Sequence, residues 1–262
     1  MEIPIYQVDA FSSRLFAGNP AAICPLEKWL PDPVMQSIAA ENNLSETAFF
    51  VPENGGYRLR WFTPGVEVDL CGHATLASAY IVLTKMKPGG DSVSFQTRSG
   101  RLIVRRGGDR YSMDFPARAP EHCEVHPRLI EALGTVPLEI LASRDYLVVY
   151  QSEEQVRTLQ PNMELLCLMD RFAVIVTAPG ADGVDFVSRF FAPSKGVPED
   201  PVTGSSHCTL IPYWSRRLGK KQLKARQVSR RGGELWCEDR GERVTIAGNA
   251  VLYLEGTIRV PD

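Results

Sequence analysis

Short apolar runs, many rich in β-branched or aromatic residues, recur along the chain and are broken every few positions by Gly, Pro or Asn/Asp. This is the pattern of strands joined by turns. It predicts strands over 3–11, 46–51, 57–62, 93–97, 101–105 and 111–115 in the first half of the chain. The second half repeats the style over 138–141, 147–150, 172–177, 186–191, 225–229, 234–238, 244–247 and 251–255.

Helical signals are fewer. Asp32-Pro33 places a capping side chain before a proline at the first helical position, predicting a surface helix through about Asn42. The stretch HATLASAYIVL from His73 has no charge and is apolar or small on every side, so it predicts a helix over about 73–86 wrapped by other structure. A second segment, SSHCTLIPYW from Ser205, predicts a buried helix over about 206–217. Cations at Arg216 and Arg217 and a glycine at 219 mark its end, and Pro212 removes one of its hydrogen bonds.

These two helices follow matching stretches, RWFTPGVEVDLCG from Arg60 and RFFAPSKGVPEDPVTG from Arg189. The similarity points to an internal duplication and to an α+β architecture of two similar lobes, each a curled, mostly antiparallel sheet around one central helix. The expected division is 1–118 and 119–262, with the last strand returning to the first lobe. A helix N-terminus carries unpaired N–H donors and a partial positive charge, and glycine lets a ligand approach the backbone. Gly72 and Gly204, with Ser205, are therefore the expected substrate-binding positions, gripping an anion in a cleft between the lobes.

Composition narrows the partners. The 262 residues carry a formal charge of -2 with 44% hydrophobic content, which fits a chain that folds by itself and offers no general field for nucleic acid. The N-terminus lacks a leader pattern and no apolar run approaches the roughly 20 residues that span a bilayer, so a cytoplasmic location is expected and a membrane is not. Six scattered cysteines without a C-x-x-C signal neither a disulfide framework nor zinc. The segment EHCEVH from Glu121 has metal-ligand residue types but reads as a solvated connection, so no metal is expected. Phosphate-loop, nucleophile-elbow and dinucleotide signatures are absent.

Four stretches taken together, YQVDAFSSRLFAGNPAAI from Tyr6, NLSETAFF from Asn43, DLCGHATLA from Asp69 and EDPVTGSSHC from Glu199, resemble the phenazine-biosynthesis PhzF/YddE family. The resemblance runs in order over almost the whole chain. It implies a fold similar to diaminopimelate epimerase, a homodimer, and catalysis without metal, flavin or pyridoxal phosphate. It also implies that Glu46 is the proton-transferring acid/base of an isomerase acting on a small anionic substrate, with His73 and Asp200 as polar catalytic partners. Elementary physics agrees for Glu46: a carboxylate just before the apolar run Ala48 to Val51 is partly desolvated, which raises its pKa toward the operating pH.

Cys71 opens an alternative. The LCGH sequence is similar to the surroundings of the first cysteine in proline racemase and diaminopimelate epimerase, and a thiol beside a helix N-terminus is expected to have a lowered pKa. Thr203, however, stands where such a racemase has its second cysteine. One thiol does not make a two-cysteine enzyme, which leaves Cys71 as a small buried residue. Three functions are open at this point: a proton-shifting isomerase, a cysteine-dependent racemase or epimerase, and a carboxylate-binding protein without turnover.

Overall fold

In a computed structural model that describes residues 1–260, the chain forms two compact units. The first comprises residues 1–114 together with the stretch from Ala247 onward; the second comprises residues 115–246.

The first unit begins with β1 (Glu2–Ala10) and β2 (Asn19–Pro25), followed by α1 (Asp32–Asn42), β3 (Glu46–Glu53), β4 (Gly56–Phe62) and the short β5 (Glu67–Val68). The central helix α2 (Gly72–Ile81) then runs into a π-helical turn over Val82–Met86. After it come β6 (Ser92–Thr97), β7 (Gly100–Gly107) and β8 (Arg110–Pro116). In the second unit, α3 (Leu129–Leu133), β9 (Glu139–Ala142), β10 (Tyr146–Val149), α4 (Glu153–Thr158) and α5 (Met163–Leu166) precede β11 (Val174–Pro179) and β12 (Phe186–Phe191). The second central helix α6 (Gly204–Leu218) follows, then β13 (Gln222–Gln227), β14 (Gly233–Asp239) and β15 (Arg243–Gly248), after which β16 (Ala250–Arg259) returns to the first unit.

Pairing follows the same rule in each unit. In the first, β1 with β2 is antiparallel, β2 with β3 parallel, β3 with β4 antiparallel, β4 with β6 parallel and β6 with β7 antiparallel. In the second, β9 with β10, β10 with β11, β11 with β12, β12 with β13 and β13 with β14 repeat that alternation in the same order. The two parallel steps fall where helices are inserted, because a parallel pair needs a crossover that a tight turn does not supply. One side chain repeats as well. Arg60 of β4 forms a fork with Glu67 at 2.7 and 2.8 Å and lies over the Phe62 ring, while Arg189 of β12 forms a fork with Glu199 at 2.7 and 3.0 Å and lies over the Phe191 ring. The expected architecture of two similar lobes, each with a buried central helix, is what the chain adopts.

Burial of α2 follows from its composition. Its alanines sit at no more than 1% exposure, small enough for the helix to approach β1 and β2 closely. Its hydroxyls make no demand on their surroundings, because Thr75 donates to the Cys71 carbonyl at 2.5 Å and Ser78 to the Ala74 carbonyl at 2.7 Å. In α6 the apolar side carries Trp214, which stacks on Phe186 at 5.7 Å and donates its indole N–H to Thr177 at 3.0 Å. The helix runs on past Pro212 and ends at Gly219 in the left-handed conformation, as the glycine signal predicts.

One local expectation needs correction, and β2, α3, α4 and α5 were not foreseen. The residue that caps α1 is Pro31 rather than Asp32, and no side chain caps it; Asp32 lies in the first turn and its carboxylate accepts from Arg60 at 2.8 Å instead. Strand β2 escapes the pattern because prolines at 20 and 25 disguise an otherwise buried run. Helices α3, α4 and α5 were not expected either, being only four to six residues long, although α4 carries a full capping box between Ser152 and Gln155.

Candidate active site

The expected site residues of the first unit meet at the mouth of α2. Glu46 opens β3, Cys71 is the N-cap of α2, and His73 is the second residue of the helix. The Glu46 carboxylate stands 3.1 Å from His73 Nε2, off the direction of a hydrogen bond. On the other side of the ring, Nδ1 lies 3.5 Å from Cys71 Sγ and 3.2 Å from the Asn19 amide nitrogen. Asn19 is fully buried at the start of β2, and the turn that delivers it requires Gly18: the backbone there has φ +70°, and a Cβ would lie 2.2 Å from the Ala10 carbonyl oxygen. Asn19 is a site residue that pattern reading did not single out; its signal was the GNP turn.

Burial opposes a charge on His73, yet the neighbouring Cys71 and Glu46 outweigh it and hold the imidazole well above its usual pKa. For Cys71 the sign is opposite to the expectation. Burial, reinforced by the negative charge of Glu46, pushes the thiol up to about 11 against the lowering pull of His73, so the helix N-terminus does not produce a thiolate here. Ligand-type atoms of Glu46, Cys71 and His73 all lie within 4.8 Å of one another, the one such group among the described residues. The ring stands between its two partners, Nε2 toward the carboxylate and Nδ1 toward the thiol.

In the second unit Thr203 is the N-cap of α6, with Gly204 as first and Ser205 as second helical residue. Ser205 accepts from Arg144 at 3.3 Å, and Arg144 is fixed by two bonds to the fully buried Asp145 at 3.0 and 2.9 Å. Asp200 precedes the helix in the EDPVT turn and accepts the Thr203 hydroxyl. In both units a residue at or just before the second strand reaches the second residue of the central helix: Asn19, which opens β2, to His73, and Arg144, two residues ahead of β10, to Ser205. In neither unit does the N-cap side chain cap its helix.

A family model described as "Phenazine biosynthesis-like protein" matches residues 8–256. The chain belongs to the phenazine biosynthesis-like (PhzC-PhzF) family. An isomerase of Pseudomonas aeruginosa is 54% identical over 260 residues, covering 99% of this chain and all of that one. A human phenazine biosynthesis-like domain-containing protein is 43% identical, covering 98% and 99%. Among solved structures, a PhzF family protein of Enterococcus faecalis superposes with a TM-score of 0.96 at 48% identity, covering 99% and 100% of the two chains. A hydroxyproline epimerase of Agrobacterium vitis, at 12% identity and a TM-score of 0.59, shares the fold alone. With this membership goes the enzyme class: the chain is an isomerase of the PhzF type. No helix among the described residues is long and apolar enough to cross a membrane.

Proposed function

We propose that this isomerase shifts a proton on a small carboxylated substrate by general acid/base catalysis without a cofactor, with Glu46 as the group that carries the proton. The observation that supports it most is the Glu46 carboxylate, with 18% of its side chain exposed, held 3.1 Å from a buried imidazole. Glu46 takes a proton from a carbon next to a carboxylate, carbonyl or diene; the C–H electron pair moves into the conjugated system, and the proton returns at another carbon. His73, its Nε2 3.1 Å from the Glu46 carboxylate, steadies that carboxylate between the two transfers. Asp200 is the second acidic group of the reaction. The first-turn N–H groups at Gly72, Gly204 and Ser205 bind substrate oxygens, since such groups have no partner within their own helix. A dihydro-hydroxyanthranilate-like acid is the first substrate to try, on the strength of the family.

The cysteine-dependent reading retains one specific support, the contact of Cys71 with His73. Against it, a thiol pushed up to about 11 is protonated at neutral pH and is a poor base. Incubation with candidate carboxylates in deuterium oxide tests the proposal: deuterium should enter at carbon and require Glu46. A protein that binds such an acid tightly and leaves its carbon-bound hydrogens unexchanged would be a carboxylate binder, and the isomerase reading of this site would be lost.

A further inference from the structure

Gln227, the last residue of β13, has no exposure to solvent although it is polar, and its amide is fully committed. Its Oε1 accepts the backbone N–H of Thr203 at 2.9 Å, and its Nε2 donates to the Asp200 carbonyl at 2.6 Å and to Thr203 Oγ1 at 3.3 Å. The orientation of this amide is determined by chemistry. A backbone N–H only donates and a carbonyl only accepts, so exchanging the oxygen and nitrogen ends would break both of the shorter bonds. Because Nε2 arrives at Thr203 Oγ1 as a donor, the hydroxyl's own hydrogen is left for its other neighbour, the Asp200 carboxylate. The sequence of donors therefore has one direction, from amide to hydroxyl to carboxylate.

We propose that Gln227 is a positioning residue that, through the Thr203 hydroxyl, holds the Asp200 carboxylate in one orientation. This rests on the reading of Asp200 as an acid/base partner and deepens it. The bonds to both ends of the 200–203 turn make Gln227 a clamp on that turn as well as a director of one proton. The backbone of the turn is tied independently, Asp200 N–H to the Phe190 carbonyl at 3.1 Å and Ser229 Oγ to the Pro201 carbonyl at 2.7 Å, so loss of the amide leaves the turn attached and frees the hydroxyl. Of the charged groups around the turn, Glu199 pairs with Arg189 of β12 and Arg226 of β13 with Glu234 of β14. The Thr203 hydroxyl is bonded to the Asp200 carboxylate itself, so its removal should act on Asp200 directly.

The test is carboxyl 13C NMR of the full chain with labelled aspartate, following the Asp200 signal with pH, in Thr203→Val, Thr203→Ser, Gln227→Leu and the Leu/Val double variant. A hydrogen bond to the charged form favours it. Thr203→Val should therefore move the Asp200 midpoint up by about one unit, Thr203→Ser should restore it, and Gln227→Leu should move it in the same direction by less. In the double variant the shifts should not add, because both act through one hydroxyl. If the midpoint stays put in Gln227→Leu and Thr203→Val while both give native spectra, the proposal is overturned and Gln227 only stabilises the turn. Should Gln227→Leu fail to fold, Gln227→Met, of similar length and without a donor, takes its place in the same comparison. The reading of Asp200 fails separately if Asp200→Asn exchanges deuterium into substrate as fast as the natural chain while the midpoint shifts are as expected.

Discussion

Cys71 and Glu46 lie on opposite sides of one imidazole, and the two readings of the chemistry assign the proton to different ones of them. Glu46→Gln keeps size and hydrogen-bonding shape and removes the base, so deuterium exchange into a turned-over acid should fall by about 100-fold to 10,000-fold. Cys71→Ser keeps the volume and the contact with His73, so exchange should remain within about tenfold. A dead Cys71→Ser beside an active Glu46→Gln would transfer the proton to the thiol. His207, in the first turns of α6, offers a test of stability. Fully buried, its ring bonds the Thr203 carbonyl through Nδ1 at 2.8 Å, and desolvation lowers its pKa from 6.5 to about 4, the bond to Thr203 opposing. In this window the unfolded chain binds the proton and the folded chain does not, so stability rises with pH from about 4 to about 6.5. The size is about 3 kcal/mol, from 1.36 kcal/mol per unit. Denaturant midpoints across this range should lose that dependence in His207→Gln; an unchanged slope would assign it to other groups.

The central helices were the most legible elements because charge-free segments of ten or more residues have few alternatives in a soluble protein. Their ends were legible too: glycine at 219, a first turn beginning within two residues of the expected positions. Short elements were not, since α3, α5 and β5 are held by tertiary packing rather than by any local pattern long enough to register a period. The site divides the same way. Motif residues such as Glu46, His73 and Asp200 stood out, whereas Asn19, Arg144 and Gln227 act through partners roughly 25 to 60 residues away that only the fold brings near. At the element scale the tight wrapping of α2 is itself testable. Ala77 has no exposure, so Ala77→Leu adds three carbons where there is no room and should cost about 1–3 kcal/mol. A thermal midpoint lower by several degrees is expected, and an unchanged one would mean that α2 is loosely covered.

At the scale of the whole molecule, the second unit is one continuous segment while the first is assembled from both ends of the chain. Strand β16 pairs with β1 from Glu2↔Arg259 to Ala10↔Ala250, with a bulge between Gln7 and Val8. A chain ending at residue 248 should therefore keep hydrogen-exchange protection in β10, β11 and β12 and lose it along one edge of β1; equal loss in both units would show that they fold only together. The same arrangement bears on synthesis. A ribosome delivers most of the first unit early but its closing strand only after the whole of the second unit, so the segment that emerges second is the first that can be complete. Until that strand arrives, the nascent protein carries an open sheet edge along β1, and that edge is what a chaperone or a neighbouring chain would meet.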